Sequence, residues 1–410
     1  MTAVARPSSA HLLSGIIRGI SAVSRVTGRG GSVIGGRIAL HLDHGALRRL
    51  ASDRTVLFVS GTNGKTTTTA FLAAALRTAG PIVHNMTGAN LKTGLVSAFA
   101  QDLDAPMAVL EIDEAALAPV LEEIGAAVVV LLNLSRDQLD RYGEVRMTAA
   151  KWRRALEGCD GVHVVAYADD PLVAWAAGAA PAVTWVSAGQ PWRMDSASCP
   201  ECGGRISWEG EVWSCRCGFA RPDPDVVAEP GFITLAGGEA LPVRLQLPGR
   251  CNAANAAMAL AAARVVGVPP EASVAAMEAI VDVAGRYRQV SVGSACTRLL
   301  LAKNPAGWNE VLDFLLPPPA SVVVAVNARG PDGYDPSWLW DVDFERLGNR
   351  PVVASGERAL DVAVRLRYAG VPHEICPDPV AAVHRLPDGQ VELVANYTAF
   401  QSVLAAVGRD

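Results

Sequence analysis

Seven consecutive residues, Gly61-Thr62-Asn63-Gly64-Lys65-Thr66-Thr67, have the types and spacing needed to hold a chain of phosphates. The glycines let backbone N–H groups approach phosphate oxygens, and a helix starting at Lys65 would add the partial positive charge of its N-terminus. Lys65 is placed to reach the β- and γ-phosphates, and the Thr66 hydroxyl to ligate magnesium. The chemistry is handling of a nucleoside triphosphate, with Gly61, Thr62, Asn63, Gly64, Lys65, Thr66 and Thr67 binding ATP and Lys65 also catalytic. The general phosphate-loop pattern has glycine where this chain has Val59. An ordinary glycine turn before a helix is the plainer alternative. It accounts neither for the apolar strand Val56-Leu57-Phe58-Val59 ahead of the loop nor for the Lys-Thr pair after it.

A second constellation is Cys199-x2-Cys202, a gap of 12 residues, then Cys215-x-Cys217. Two cysteine turns with glycines beside them make a ribbon-like tetrahedral sulfur site, for which zinc is the expected metal. Four thiolates leave no open position for water, so the role is structural. Free thiols or disulfides are the alternatives. The other four cysteines, Cys159, Cys251, Cys296 and Cys376, are scattered. None has a nucleophile elbow, and Cys376, near His373, falls in a strand-like segment that reads as core.

These residues need a scaffold, and the hydrophobic pattern supplies one. From residue 54 short apolar runs alternate with helical stretches. Thr55–Ser60, Met107–Ile112, Ala127–Asn133 and Val162–Tyr167 read as buried strands and Lys65–Arg77 as a helix. Continuous Val/Ile/Leu runs are what a parallel sheet covered on both faces requires. Residues 190–224 break this rhythm and read as an inserted module holding the four cysteines. Helical runs resume at Ala253–Val266 and Glu271–Val281. Gly285-Arg286-Tyr287-Arg288 looks like a hinge. Beyond it Thr297–Ala302, Ser321–Asn327, Pro351–Ala354 and Val391–Ala395 read as strands of a second α/β unit. The expected organisation is an N-terminal helical segment at 1–50, a central ATP-binding unit at 51–295 with its insertion at 190–224, and a Rossmann-like C-terminal unit at 296–410.

Composition bounds the function classes. A chain of 410 residues is too long for one compact core. Half its residues are hydrophobic and 19% charged, the balance of a folded chain. A net charge of −5 gives no general reason to expect nucleic-acid binding. No apolar run reaches the ~18–20 residues of a membrane span. The stretch from His11 to Arg29 reads as an amphipathic helix and not a signal peptide, so a cytoplasmic location is expected.

The loop form Gly-Thr-Asn-Gly-Lys-Thr resembles that of the Mur ligases and folylpolyglutamate synthases, and further segments follow in the Mur ligase order. Leu110-Glu111-Ile112-Asp113-Glu114 ends a strand where the family places a magnesium-ligating glutamate, which maps to Glu111. Asn133-Leu134-Ser135-Arg136-Asp137-Gln138-Leu139-Asp140 is similar to the family's Asn-x-x-x-Asp-His-Leu-Asp, with Gln138 in place of a metal-binding histidine. Gly249-Arg250-Cys251-Asn252-Ala253-Ala254-Asn255 resembles a signature whose first asparagine, here Asn252, contacts adenine; capping of the helix is the alternative, and both can hold. Gly285-Arg286 matches a hinge whose arginine reaches the γ-phosphate. Lys151 falls near a carbamylated lysine of several members, or is an exposed helix lysine.

Three segments are similar to one branch, the MurT proteins: Asp137-Gln138-Leu139-Asp140-Arg141-Tyr142-Gly143, Lys303-Asn304-Pro305-Ala306-Gly307, and Asp332-Gly333-Tyr334-Asp335-Pro336-Ser337-Trp338-Leu339-Trp340-Asp341. The last follows a strand, and Asp335 in it is the candidate catalytic or ammonia-orienting carboxylate; a turn cap beside packed tryptophans is the alternative. The resemblance covers about residues 50–400. It implies a ligase using ATP, magnesium and zinc that activates the D-glutamate α-carboxyl of the lipid II stem peptide and amidates it to D-isoglutamine. Ammonia would come from a separate GatD-type glutaminase subunit, since no glutaminase signature is present. The phosphate loop begins at residue 61, too early for a preceding UDP-binding domain. A lipid-linked substrate at the inner membrane face is therefore expected. Two other functions compete: an amino-acid-adding ligase like folylpolyglutamate synthase, and a nucleic-acid-binding ATPase using the ribbon.

Overall fold

The computed structural model describes residues 14–15, 17–19, 34–85, 89–137, 145–283 and 285–407. Most of the expected N-terminal helix lies outside these, as does Gln138. Of the segment that is described, Ile17 is buried in the main core and Ser14 Oγ donates to the Ala100 carbonyl at 2.7 Å. Helices α1 (Ile34–Leu42) and α2 (Ala46–Ala51) then lead into the first sheet. Among the described residues no helix is long and apolar enough to cross a membrane.

The first sheet has nine strands: β1 (Thr55–Ser60), β2 (Ile82–His84), β3 (Met107–Glu111), β4 (Val128–Leu131), β5 (His163–Tyr167), β6 (Ala182–Ser187), β9 (Val226–Glu229), β10 (Phe232–Thr234) and β11 (Ala240–Pro242). Their order is β11-β10-β9-β6-β5-β4-β1-β3-β2. From β2 to β9 neighbours run parallel, and β10 and β11 add an antiparallel edge. Helices α3 (Lys65–Arg77), α4 (Lys92–Phe99), α5 (Glu114–Ile124), α6 (Val145–Glu157), α7 (Pro171–Ala177), α8 (Arg250–Val265) and α9 (Pro270–Glu278) alternate with or follow these strands. The continuous apolar runs of β1, β3, β4 and β5 are buried on both sides, as a covered parallel sheet demands. The Ala-rich α8 is buried along most of its length, so its small side chains let it lie close to α3.

The order reverses at β1, which has β3 on one side and β4 on the other. Val59 pairs with Glu111 and Ser60 with Leu131. The register thus brings the ends of β1, β3 and β4 together. Such a switch point is where open parallel sheets bind ligands.

The insertion is a hairpin, β7 (Ile206–Glu209) and β8 (Val212–Cys215), with the cysteine turns at its ends. It docks through Trp213, which is fully buried and donates from Nε1 to the Ala168 carbonyl at 3.0 Å.

The second sheet has the order β12-β13-β17-β14-β15-β16, from β12 (Tyr287–Val292), β13 (Ala295–Leu301), β14 (Ser321–Ala325), β15 (Val352–Ser355), β16 (His373–Ile375) and β17 (Gln390–Ala395). All but β12 are parallel. Helices α10 (Pro305–Phe314), α11 (Ala359–Tyr368), α12 (Pro379–Arg385) and α13 (Tyr397–Val407) accompany it, and apolar clusters lie on both faces. This sheet starts at Tyr287, within the span the sequence reading gave to the central unit. Gly285 turns at φ 76°, and the chain passes directly from Arg286 into β12. The pattern missed β12 because only Val292 of its residues is buried.

Candidate active site

The phosphate loop follows β1 directly. Gly61 (φ 142°) and Gly64 (φ 86°) occupy conformations that favour glycine, and space forbids a side chain at either. A Cβ on Gly61 would stand 2.8 Å from Leu132 Cβ, and one on Gly64 2.4 Å from Asn255 Oδ1. Asparagines brace the loop. Asn63 N donates to Asn133 Oδ1 at 2.9 Å, and Asn133 Nδ2 returns a bond to the Asn63 carbonyl at 3.0 Å. Thr62 Oγ1 donates to the Ser135 carbonyl at 3.2 Å and accepts from Ser135 N at 3.0 Å.

Lys65, at the first turn of α3, is buried. Its Nζ donates to the Gly61 carbonyl at 2.5 Å and to Glu114 Oε2 at 2.9 Å. Burial disfavours its ammonium, but Glu114 and Glu111 outweigh burial and hold the pKa above the ordinary lysine value. Burial likewise pushes Glu114 up, and Lys65 with Lys303 overrides it, leaving the carboxyl below the usual range. Both groups stay charged. Nothing in the sequence marks Glu114 except that it is a second acidic residue beside Asp113, whose side chain caps α5 by accepting from Ala115 N at 3.0 Å.

Thr66 gathers the magnesium candidates. Its Oγ1 donates to Glu111 Oε2 at 2.8 Å and accepts from Arg286 Nη2 at 3.0 Å. Glu111 is 1% exposed at the end of β3. Asn85 clamps its backbone on both sides, donating to its carbonyl and accepting from its N–H, each at 2.8 Å. A hydroxyl and a buried carboxylate at that separation are hard oxygen donors of the kind magnesium takes, so the residues fit the ion.

A cleft between the two sheets runs from Thr62, Asn63, Gly64, Lys65 and Thr67 to Asn252 and Arg286. Thr67 is largely buried, as is Thr62. Asn252 lines the cleft but is partly engaged: Nδ2 donates to the Pro248 carbonyl at 2.6 Å and Oδ1 accepts from Asn255 Nδ2 at 3.3 Å. Its amide keeps one N–H and one lone pair. It stands inside the first turn of α8, whose N-cap is Gly249, so it is not the cap that the alternative expected. The far wall comes from the second sheet. Asn304 and Asn63 exchange side-chain bonds at 3.1 and 3.3 Å, and Lys303 pairs with Asp137. Glu310 on α10 lies 3.7 Å from Arg250, and burial pushes its carboxyl up to about 7. The lone position Glu310 gave no sequence signal as a pocket residue, and Asn304 stood out only as part of the segment 303–307, because only the fold brings α10 over the loop.

Asp335 lies elsewhere. It sits on the loop after β14 and accepts from Ser337 N at 2.8 Å and Ser337 Oγ at 2.9 Å. It does not line the cleft with Lys65. Its neighbour Asp332 is tied down by Thr398 N at 2.9 Å. Lys151 is exposed on α6, away from the cleft lining. Burial pushes the Cys251 thiol far above its ordinary value, and Cys376 Sγ donates to the Asp378 carbonyl at 3.5 Å. His373 Nδ1 faces the Val371 carbonyl at 2.8 Å.

The four clustered sulfurs of Cys199, Cys202, Cys215 and Cys217 lie within 4.8 Å of one another. Cys199 and Cys217 are 3.8 Å apart, and Cys202 and Cys215 3.5 Å. Zinc–sulfur bonds of about 2.3 Å in a tetrahedron put sulfurs about 3.8 Å apart, so the set fits zinc. Gly204 N donates to Cys202 Sγ at 3.3 Å, which favours a thiolate there.

Residues 59–263 match the family model for the Mur ligase middle domain, and residues 301–400 match the model for the MurT ligase C-terminal region. A Streptococcus pneumoniae protein named lipid II isoglutaminyl synthase (glutamine-hydrolyzing) subunit MurT is 31% identical over 376 residues, 84% of this chain and 83% of that one. The chain belongs to the MurT family. The MurT subunit from Staphylococcus aureus is 29% identical over 94% of this chain and 95% of its own length. The fold is that of the Mur ligases. A pseudomurein peptide ligase type C from Methanothermus fervidus superposes with a TM-score of 0.69 at 19% identity, covering 87% of this chain and 79% of that one. The ADP complex of MurF ligase from Thermotoga maritima gives 0.62 at 17% identity, covering 90% and 83%. As a MurT family member the chain is a ligase.

Proposed function

We propose that this chain is the ATP-consuming subunit of a lipid II isoglutaminyl synthase. The observation that carries the reading is the meeting of Lys65, Thr66, Glu111 and Arg286 at one phosphate loop, in a chain related to MurT over most of its length. A carboxylate is a poor electrophile because its oxygen leaves badly. An oxygen of the D-glutamate α-carboxylate attacks the γ-phosphorus of ATP, and the bond to the ADP oxygen breaks. Ammonia then attacks the acyl carbon, inorganic phosphate departs with the C–O bond pair, and the nitrogen loses a proton to give the amide. Backbone N–H groups of Gly61 through Thr66, with Lys65 and Arg286, stabilise charge on the transferring phosphoryl group. Thr66 and Glu111 would hold magnesium, which when bound would neutralise phosphate charge. Asn252 presents its remaining N–H and lone pair to the adenine edge. Asp335 orients ammonia from the loop after β14.

Ammonia is mostly protonated at neutral pH, so a protected source is needed; a GatD-type glutaminase subunit supplies it. The substrate, lipid II, is met at the inner face of the membrane. Zinc in the four-cysteine site is structural. The match of residues 301–400 to the MurT C-terminal model and the cysteine module both favour this over an amino-acid-adding ligase, which needs neither. The purified chain with its glutaminase is expected to amidate lipid II at the expense of ATP and glutamine. Asp335→Asn is expected to bind ATP normally and to lose amide formation. ATP turnover without amidated product from the unaltered pair overturns the proposal.

A further inference from the structure

Arg136 stands where three parts of the chain meet. Its Nε donates to Asp195 Oδ1 at 2.7 Å and its backbone N–H to Asp195 Oδ2 at 3.0 Å, while Nη1 reaches Asp341 Oδ2 at 3.0 Å. The guanidinium carbon lies 5.9 Å from the centre of the Trp192 ring, and Trp192 Nε1 donates to Asp195 Oδ2 at 2.5 Å. Asp195 is thus a buried carboxylate, its side chain 6% exposed, with both oxygens occupied by Arg136 and Trp192.

Each partner belongs to a different unit. Arg136 lies in the segment leaving β4, three residues after the Asn133 that braces the phosphate loop. Asp341 ends the short 3-10 turn Ser337–Asp341, on the same loop as Asp335. Asp195 precedes Cys199 by four residues, and its segment is laced to the β7–β8 hairpin. Arg193 Nη2 donates to the Gly210 carbonyl at 2.9 Å and its guanidinium stacks 4.2 Å over Trp208. Gln190 N donates to Glu211 Oε2 at 2.9 Å, and Ile206 N to the Ala197 carbonyl at 3.0 Å. A module that stiffened only itself would have no bond chain leading to the second sheet.

We infer that the four-cysteine module positions the acidic and aromatic loop 328–343: through Asp195 it orients Arg136, and Arg136 holds Asp341 and its loop against the phosphate-binding unit. Arg136 and Asp195 are positioning residues and touch no reacting atom. The inference rests on the function proposed above, in which that loop serves amidation. It assigns a purpose to a metal site that the ATP chemistry leaves unused.

Hydrogen exchange on the zinc-loaded full chain tests it, with Asp195→Asn and Asp341→Asn. Asp341→Asn breaks one partly exposed ion pair and is expected to speed exchange in 328–343 by about threefold. Asp195→Asn removes the charge partner of Arg136 inside a buried site and, acting on the loop only through the Arg136–Asp341 link, is expected to speed it by up to about threefold. Extracting zinc from the wild-type chain should match Asp195→Asn, and should add less than about twofold in the Asp195→Asn background, because the two act on one chain of contacts. Both variants should keep their ATP affinity and form less amide per ATP consumed. Exchange that rises only in 198–220 on zinc removal overturns the inference. So do full, multiplied effects of zinc removal and Asp195→Asn together. Should Asp195→Asn fail to fold, Asp341→Asn combined with zinc removal gives the same discrimination, since Asp341 is partly exposed and its loss is tolerated by the fold. Altered exchange with no amidation by the wild-type pair refutes the proposed function and leaves the coupling standing. Amidation with unchanged exchange refutes the coupling alone.

Discussion

Replacing Gly64 by alanine tests the argument that the phosphate loop is built by close approach. Gly64 has φ 86°, and its Cβ would sit 2.4 Å from Asn255 Oδ1 and 3.2 Å from Asn255 Cγ. A non-glycine residue in the left-handed region costs roughly 1–2 kcal/mol. Asn255 cannot swing away freely, because its Oδ1 accepts from Thr68 Oγ1 at 3.1 Å and its Nδ2 donates to Asn252 at 3.3 Å. Giving up one such buried bond costs about 1 kcal/mol. The sum, about 2–3 kcal/mol, is charged against the loop conformation that binds phosphate, and so weakens ATP by about 30- to 150-fold. Titration calorimetry with magnesium-ATP measures it. In an Asn255→Gly background the obstacle is gone, so Gly64→Ala should then cost only the backbone strain, about 1–2 kcal/mol. Equal costs in both backgrounds, or a loss under about threefold in the first, would refute the steric account.

Other measurements bear on separate parts of the site. Glu111→Gln removes the buried carboxylate beside Thr66 and is expected to weaken magnesium-dependent ATP binding by at least about tenfold while ATP without metal binds as before, since hydrogen bonds to charged groups carry about 1.5–3 kcal/mol. Glu310, raised to about 7 by burial, binds its proton more tightly folded than unfolded. Stability should therefore fall as pH rises from about 4.5 to 7 and level off above, with Glu310→Gln flattening that slope. With the side chain 24% exposed the effect is about 1–2 kcal/mol; identical slopes in melting temperature for both proteins would refute it. Cys215→Ser should lower the bound zinc, counted by atomic absorption, from one per chain to well under one, and should lower the melting temperature; full zinc retention contradicts a four-sulfur site.

How much was legible depended on whether a feature was local. The loop was legible because Gly61, Gly64, Lys65 and Thr66 act through backbone geometry and a helix start that neighbouring residues specify. The parallel strands were legible because a sheet buried on both faces demands unbroken apolar runs, as in Val56–Val59 and Val128–Leu131. The ribbon was legible because metal coordination fixes cysteine spacing. Strand β12 was not, since its exposed residues carry no periodic signal and only pairing with β13 defines it. Asp335 stands out in the sequence only through its motif, while the structure gives it two bonds from Ser337 and a place apart from the cleft.

The sequence by itself thus determined the buried parallel strands β1, β3, β4, β5, β13, β14, β15 and β17, the glycine loop, the four clustered sulfurs and the family. Tertiary structure alone decided which distant side chains share an atom or a charge: Glu114 against Lys65, Arg286 against Thr66, Asn304 against Asn63, and Arg136 between Asp195 and Asp341. The physical reason is that a hydrogen bond or ion pair needs atoms within about 3–4 Å. Residues 49 to 241 positions apart reach that separation only through sheet order, register and the packing of one sheet against the other.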